Sequence, residues 1–249
     1  MRIFSLPFLV AAYLLATGSA NARNDFSADT VLHTAQGQTL EGRMIVSQGR
    51  VRIEYEQNGQ RVVRINDPAN DRIWTLFPAL KQFSVQDVPP GSLSVGLGGQ
   101  GRRSPCISMP QASCVDLGVE EIDGRAARKW EVTMTREGRS MSMTQWVDEQ
   151  RGFPLRQDFG GGNGAELDFV GADEVNGRQV EKWRLTVRRG DQVRIDTQWY
   201  DPELETTIKE AKYDGSSREL VGIQVGPPDQ VLFQVPQGYS QRDAISGGR

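Results

Sequence analysis

Histidine is nearly missing from this chain: His33 is the single one in 249 residues. One imidazole excludes every site built from two or more, including the usual catalytic zinc sets and the His-Glu-x-x-His helix. An excess of one charge sign is missing as well. The 29 Lys and Arg against 32 Asp and Glu leave a net charge of -3, so no basic field exists to hold nucleic acid or anionic headgroups. Cysteine is limited to Cys106 and Cys114, spaced unlike the Cys-x-x-Cys of redox motifs. Past residue 22 there is no apolar run long enough to cross a bilayer, and no segment carries a convincing amphipathic helix period.

What is present begins with a leader. Met1-Arg2 is a short positive start, Ile3 to Ala16 is almost unbroken apolar sequence, and Ala20-Asn21-Ala22 has the small-x-small pattern of a signal-peptidase site. Residues 1–22 therefore read as a cleaved secretory signal, with no integral membrane segment after cleavage. The leader carries only Arg2, so 28 cations against 32 anions give the mature chain a charge of -4. The expected location is the periplasm of a Gram-negative envelope, with secretion as the alternative. Export also leads us to expect a Cys106–Cys114 disulfide, which would stabilise by about 2.6 kcal/mol as a fastener of a short loop.

The mature chain alternates strand and turn. Val51, Ile53 and Tyr55 fall on one face of a segment while Arg52, Glu54 and Glu56 fall on the other, a period of two. Strands are expected over 39–47, 50–56, 61–66 and 71–76, punctuated by Gln36-Gly37, Gln48-Gly49 and the hairpin signal Asn58-Gly59. Residues 86–117 are crowded with Gly and Pro around the two cysteines and read as a long loop. Beyond it the sequence duplicates. Gly118 to Trp130 matches Gly171 to Trp183 at an offset of 53, and Trp146-Val147-Asp148 matches Trp199-Tyr200-Asp201 at the same offset. The repeats are set at 118–159 and 171–213, within one domain over 23–239. Residues 240–249, polar and Gly-rich, are expected to fray. The fold class is mainly β, an antiparallel curved sheet or open half-barrel of roughly ten to twelve strands.

Chemistry-bearing motifs dissolve on inspection. Gly96-Leu97-Gly98-Gly99-Gln100-Gly101 matches G-x-G-x-x-G, but Arg102-Arg103-Ser104-Pro105 cannot open the helix a pyrophosphate needs. Residues 66–71 read as an Asn/Asp/Pro turn, lacking the Gly and distant Glu of a calcium loop. His33 reads as a strand-surface imidazole. Glu120-Glu121 and Asp173-Glu174 face opposite ways on a strand and read as solubilising edge features. No catalytic residue, metal ligand or cofactor is assigned, and the chain is read as non-enzymatic. The aromatic positions remain: Trp74, Trp130, Trp146, Trp183 and Trp199 all fall on strands. On one face they would form an apolar concavity able to hold a ligand; alternatively they fill a core or a cross-strand stack.

Two stretches carry a family likeness. Phe26-Ser27-Ala28-Asp29, Gly37 to Gly42 and Asp71 to Val85 resemble the LolA/LolB-like periplasmic lipoprotein-carrier superfamily. From Cys106 onward the Cys pair, Asp123-Gly124-Arg125 leading to Lys129-Trp130, and Leu232 to Tyr239 are similar to the DUF4412-type exported bacterial family. The resemblance implies an incomplete barrel whose apolar concave face receives acyl chains. The carriers' Arg-Pro ahead of the third strand corresponds to Gln48-Gly49 here, so that arginine's role does not transfer. The expected partner is a lipid or lipoprotein acyl chain, with an envelope protein as the alternative and no nucleic acid. Intact-mass analysis of the exported protein tests the leader and the disulfide together: the expected mass is that of a chain starting near Arg23, two hydrogens short of the fully reduced value, and a retained leader would refute export.

Overall fold

A computed structural model describes residues 24–89, 93, 104–109, 111–136 and 139–242. The leader, most of the Gly-rich stretch and the last residues of the tail lie outside the described residues. The rest is one open sheet of sixteen strands: β1 (Phe26–His33), β2 (Thr39–Ser47), β3 (Arg50–Gln57), β4 (Gln60–Asp67), β5 (Arg72–Phe77), β6 (Gln82–Asp87), β7 (Ala112–Ile122), β8 (Arg125–Arg136), β9 (Arg139–Asp148), β10 (Pro154–Gly160), β11 (Asn163–Val175), β12 (Arg178–Arg189), β13 (Gln192–Asp201), β14 (Thr206–Ala211), β15 (Ser217–Val225) and β16 (Ser240–Gln241). The order is β16-β6-β5-β4-β3-β2-β1-β15-β14-β13-β12-β11-β10-β9-β8-β7. Every pairing is antiparallel except β16 on β6. The two ends of the sheet, β7 and β16, do not close on each other.

The strand count exceeds the expected ten to twelve, partly because segments without clean alternation, such as β10 and β16, still find a partner edge. Ser240-Gln241, placed by sequence in a frayed tail, pairs with Gln82 and Phe83, and Arg242 N donates to Phe83 O. The loop set at 86–117 is shorter at both ends, since β6 runs through Asp87 and β7 begins at Ala112. Gly118 and Gly171, which looked like repeat starts, lie inside β7 and β11. They sit at equivalent bulges, with φ of 96° and 153° and register shifts between Asp116 and Val119 and between Phe169 and Gly171. Positive φ is tolerable there because glycine has no Cβ.

The duplication is structural in detail. Each copy is a long hairpin, a return strand and a fourth strand, and equivalent positions are buried alike: Ile122 with Val175, Ala127 with Val180, Trp130 with Trp183, Leu155 with Ile208, and Asp148 with Asp201. Asp148 Oδ1 accepts from Gln150 N and Arg151 N, both at 2.8 Å. Asp201 Oδ1 accepts from Glu203 N and Leu204 N at 2.9 and 3.1 Å. Each also takes the arginine that opens the second hairpin strand. Arg178 Nε donates to Asp201 Oδ2, and Arg125 Nη1 reaches Asp148 Oδ2 at 3.4 Å. A carboxylate this buried is tolerable only with such partners.

Four apolar clusters run along the sheet. The tip of the β11–β12 hairpin, Val175 and Val180, buries Phe26, Ala28, Val46, Ile208 and Leu220. The tip of the β7–β8 hairpin, Ile122 and Ala127, covers Leu155 and Trp183. Trp130, Val132 and Val147 are covered by Met109 and Cys114, next to the 3-10 turn Pro105–Ser108. That turn is pinned by the Cys106–Cys114 disulfide, with Cα atoms 5.9 Å apart.

The fourth cluster lies on β2, β4 and β5, where Ile45, Val63, Ile65 and Leu76 are closed by Phe233, with Leu232 and Tyr239 beside it. A C-terminal strap thus crosses the N-terminal strands. Gln230 Nε2 donates to Ser47 Oγ at 3.0 Å, Arg52 Nη1 donates to Leu232 O at 2.6 Å, and the Arg50 guanidinium lies 4.7 Å from the Phe233 ring centre. Buried Arg52 also donates through Nε to Glu54 Oε1 at 2.7 Å, and Arg61 binds the other carboxylate oxygen. Burial alone raises the Glu54 pKa, but the two arginines outweigh it and hold the carboxyl below its ordinary value.

Two outcomes follow. Removing one partner of a buried, hydrogen-bonded ion pair costs about 3 kcal/mol, so Asp201→Ala should lose about that much in denaturant unfolding and Asp148→Ala less, its arginine being farther away. Equal losses would show that the guanidinium distance is irrelevant. For Glu54, a depressed folded pKa gives stability that is present above the ordinary 4.5 and fades as pH falls through the folded value. The stability gap between wild type and Glu54→Gln should therefore be widest near neutrality and shrink in acid, whereas a gap independent of pH would mean the charge is not what stabilises.

Candidate functional site

Residues directly opposed in antiparallel strands share a face. The register therefore sorts the tryptophans. Lys129, Trp146, Arg156 and Glu166 form one cross-strand row, and Lys182, Trp199 and Lys209 form its repeat equivalent. The Trp146 ring lies between Lys129 at 5.1 Å and Arg156 at 5.8 Å; the Trp199 ring lies between Lys182 at 5.2 Å and Lys209 at 5.5 Å. Trp146 Nε1 donates to Glu120 Oε2 at 2.7 Å and Trp199 Nε1 donates to Asp173 Oδ2 at 2.9 Å. Each indole is occupied on its faces by cations and at its edge by a carboxylate.

Glu120 and Asp173, read from sequence as solubilising edge features, are thus the acceptors of these indoles. Hydrogen bonds from Lys129 and Trp146 hold the Glu120 carboxyl below its ordinary pKa, and those from Trp199 and the Glu174 backbone do the same for Asp173. Their equivalence across the repeat, with an acid at 120 and 173, a lysine at 129 and 182, and a tryptophan at 146 and 199, was the signal that could have found them.

Trp130 and Trp183 belong to the opposite, inner face, toward which the hairpin tips fold. Trp183 touches Phe153 and Phe169 at centroid distances of 5.5 and 5.3 Å, and the Arg125 guanidinium lies 4.7 Å from its ring. Trp74 is in the strap-covered cluster, 5.8 Å from Phe83. The five tryptophans therefore do not meet in one concavity. Trp146 is the one that packs at the margin of the Trp183 cluster, and the others are distributed over separate clusters.

The inner face between the hairpin tip and the disulfide-pinned turn is the candidate site. Its rows run Ala112–Met134–Met141, Cys114–Val132–Met143, Trp130–Gln145–Gln157–Ala165–Val187, Leu167–Leu185 and Phe169–Trp183. Not one of these positions is charged, while the adjoining outer row carries Arg156, Glu166 and Lys129. Met141 is 69% exposed, Phe169 43% and Met134 38%, whereas Trp130 is 8% exposed beneath them. Four of the six methionines, at 109, 134, 141 and 143, lie here; their thioethers are unbranched and re-pack readily around irregular apolar shapes. At the Phe169 end the face meets an open cleft of about 480 Å³ between the β7–β8 turn and the β9–β10 turn, whose walls include Asp123, Arg125, Asp148 and Glu149.

Two polar atoms are buried without a hydrogen-bond partner, Asp67 Oδ1 and Trp130 Nε1, and the second lies at the base of this face. Among the described residues no group of His, Cys, Asp and Glu is arranged to hold a metal ion. His33 is a surface residue at the end of β1, its Nδ1 3.0 Å from Thr39 Oγ1. Asn70 Nδ2 donates to Asp67 Oδ2 within the 66–71 segment, which is a turn.

No family model matches the sequence, and no curated protein matches it. Solved structures do align with it at low identity. A LolA superfamily protein from Nitrosomonas europaea shares 11% identity, with 85% of this chain and 91% of that chain covered and a TM-score of 0.37. A putative outer membrane lipoprotein-sorting protein domain from Vibrio parahaemolyticus shares 14%, covering 84% and 89%, with a TM-score of 0.32. An uncharacterized conserved protein from Thermus thermophilus shares 9%, covering 89% and 91%, with a TM-score of 0.33. All three scores lie well below 0.5, and they fix neither a family nor a function for this chain.

Proposed function

We propose that this chain is an exported, non-enzymatic periplasmic binding module that holds an apolar ligand, a lipid or an acyl chain, on the inner face of its curved sheet. The observation that carries the reading is the uncharged patch around Met134, Met141, Met143, Phe169 and Trp130. Elsewhere on the inner face each apolar stretch is covered by a hairpin tip, and an exposed apolar sheet face bordered by polar residues marks a place where something binds. The ligand-contacting tryptophans in this reading are Trp130 and Trp183. Trp146 and Trp199 serve as cross-strand supports with their faces already filled, and Trp74 lies under the strap. Kinship of the N-terminal half to the lipoprotein carriers and of the C-terminal half to the DUF4412-type family belongs to the same proposal.

A protein partner is the second reading. It is favoured by Val115, Leu117 and Val119, each about half exposed on β7, the strand at one end of the sheet. Sheet edges of this kind accept added strands. Native mass spectrometry of protein taken gently from its own envelope separates the two. A co-purifying lipid mass that disappears in Met134→Glu/Met141→Glu supports the apolar-ligand reading; a stoichiometric protein that depends on Val115 and Val119 instead supports the second; a bare monomer that also fails to bind added phospholipid would overturn both.

A further inference from the structure

Trp130 and Trp183 hold equivalent places in the two copies and both are buried, yet they differ in one respect. Trp183 Nε1 donates to Glu181 Oε2 at 3.2 Å. The position equivalent to 181 is Arg128, which has no acceptor to offer and whose guanidinium is already committed, with Nη1 at 2.7 Å from Asp116 Oδ2 and Nε at 2.9 Å from Glu149 Oε1. Trp130 Nε1 is left buried and unpaired. An N–H shut away from water without an acceptor costs about 1–3 kcal/mol, in a fold that satisfies the same group 53 residues later. The neighbours Val132, Val147, Met109, Ala112, Cys114 and Met143 present only aliphatic carbon and sulfur side chains.

We infer that Trp130 Nε1 is the polar anchor of the inner-face site and that the ligand it selects is an acyl chain bearing a carbonyl or carboxylate oxygen. The oxygen accepts from the indole, and the tail lies outward along the Val132–Met143 and Met134–Met141 rows, a run of about 13 Å from Trp130 to Met134 at ordinary strand rise. The methionines beside and above the indole yield to admit it. The inference rests on the apolar-ligand reading and adds the head-group chemistry: a hydrocarbon tail with no acceptor leaves the N–H unpaired and forfeits the gain.

The test is calorimetric titration of the mature protein with three twelve-carbon probes below their micellar concentrations: dodecanoate, methyl dodecanoate and dodecyltrimethylammonium. The two oxygen-bearing probes should bind about tenfold more tightly than the quaternary ammonium, although the acidic chain favours the cation. Dodecanoate ahead of the ester indicates a free fatty acid; the reverse indicates an esterified chain. Trp130→Phe should bring all three within twofold of one another. Arg128→Gln, which offers the indole an internal acceptor where Glu181 stands in the second copy, should do the same while keeping the ring, and it carries the test if Trp130→Phe does not fold. A preference that survives both substitutions would overturn the anchor. Equal binding of all three probes to wild type would overturn the head-group inference while leaving the apolar-ligand reading standing, and binding of none would overturn both.

Discussion

A carboxylate at the end of a return strand, closed off from water, sets the conditions for everything around it. Asp201 and Asp148 can be ionised in the interior only if the backbone N–H groups of the following turn and the guanidinium of Arg178 or Arg125 come to them. The turn must then keep its shape, and the foot of the preceding hairpin must stay beside the strand end. Beyond its bulge each hairpin is a two-stranded ribbon, too little sheet to be stable alone. Tied at its foot, the ribbon lays Val175 and Val180, or Ile122 and Ala127, over the inner face of the strands that follow. The core depends on those tips, so it depends on the two aspartates.

From that arrangement come two faces of different character. The outer face of the C-terminal strands is laced with alternating charges and carries Trp146 and Trp199 as cation-sandwiched plates. The inner face is apolar and is covered piece by piece: one hairpin tip, then the next, then the disulfide-pinned turn. Each cover is supplied by sequence N-terminal to the strands it protects, so the first copy has no hairpin before it. The short Pro105–Ser108 turn stands in that place and reaches only as far as Trp130 and Val132. The exposed Met134 and Met141 are what such incomplete cover leaves. On the N-terminal strands both faces are filled, because the C-terminal strap returns across the second one with Phe233 and Leu232.

Much of this was legible beforehand. Alternation placed β2 to β5 within a residue or two, since period-two patterning and Asn-Gly or Gln-Gly turns are local properties of the chain. The offset of 53 was visible too, and with it the equivalence of Trp130 with Trp183 and of Trp146 with Trp199. What alternation could not supply was the bulges. Gly118 and Gly171 look like turn residues in a sequence, yet each is an extra residue in a continuous strand that flips the parity of everything after it. The role of Glu120 and Asp173 was hidden for a related reason: the partner of each lies 26 residues away across two strands, and the sequence contains no hint of that register.

The sequence by itself determined a leader, a chain of strands without helices, a duplication, a cysteine pair in a position to bond, and the absence of any multi-histidine chemistry. These follow from composition and short-range periodicity. Which face each tryptophan occupies was decided only by the tertiary structure, because that depends on bulge positions and on which hairpin tip falls across which strand. The same holds for the strap, whose Leu232 to Tyr239 segment reads as a loop until it meets Ile45, Ile65 and Leu76. It holds most of all for Trp130: both tryptophans of the duplicated pair look alike in sequence, and only the folded register shows that one indole N–H has an acceptor and the other has none.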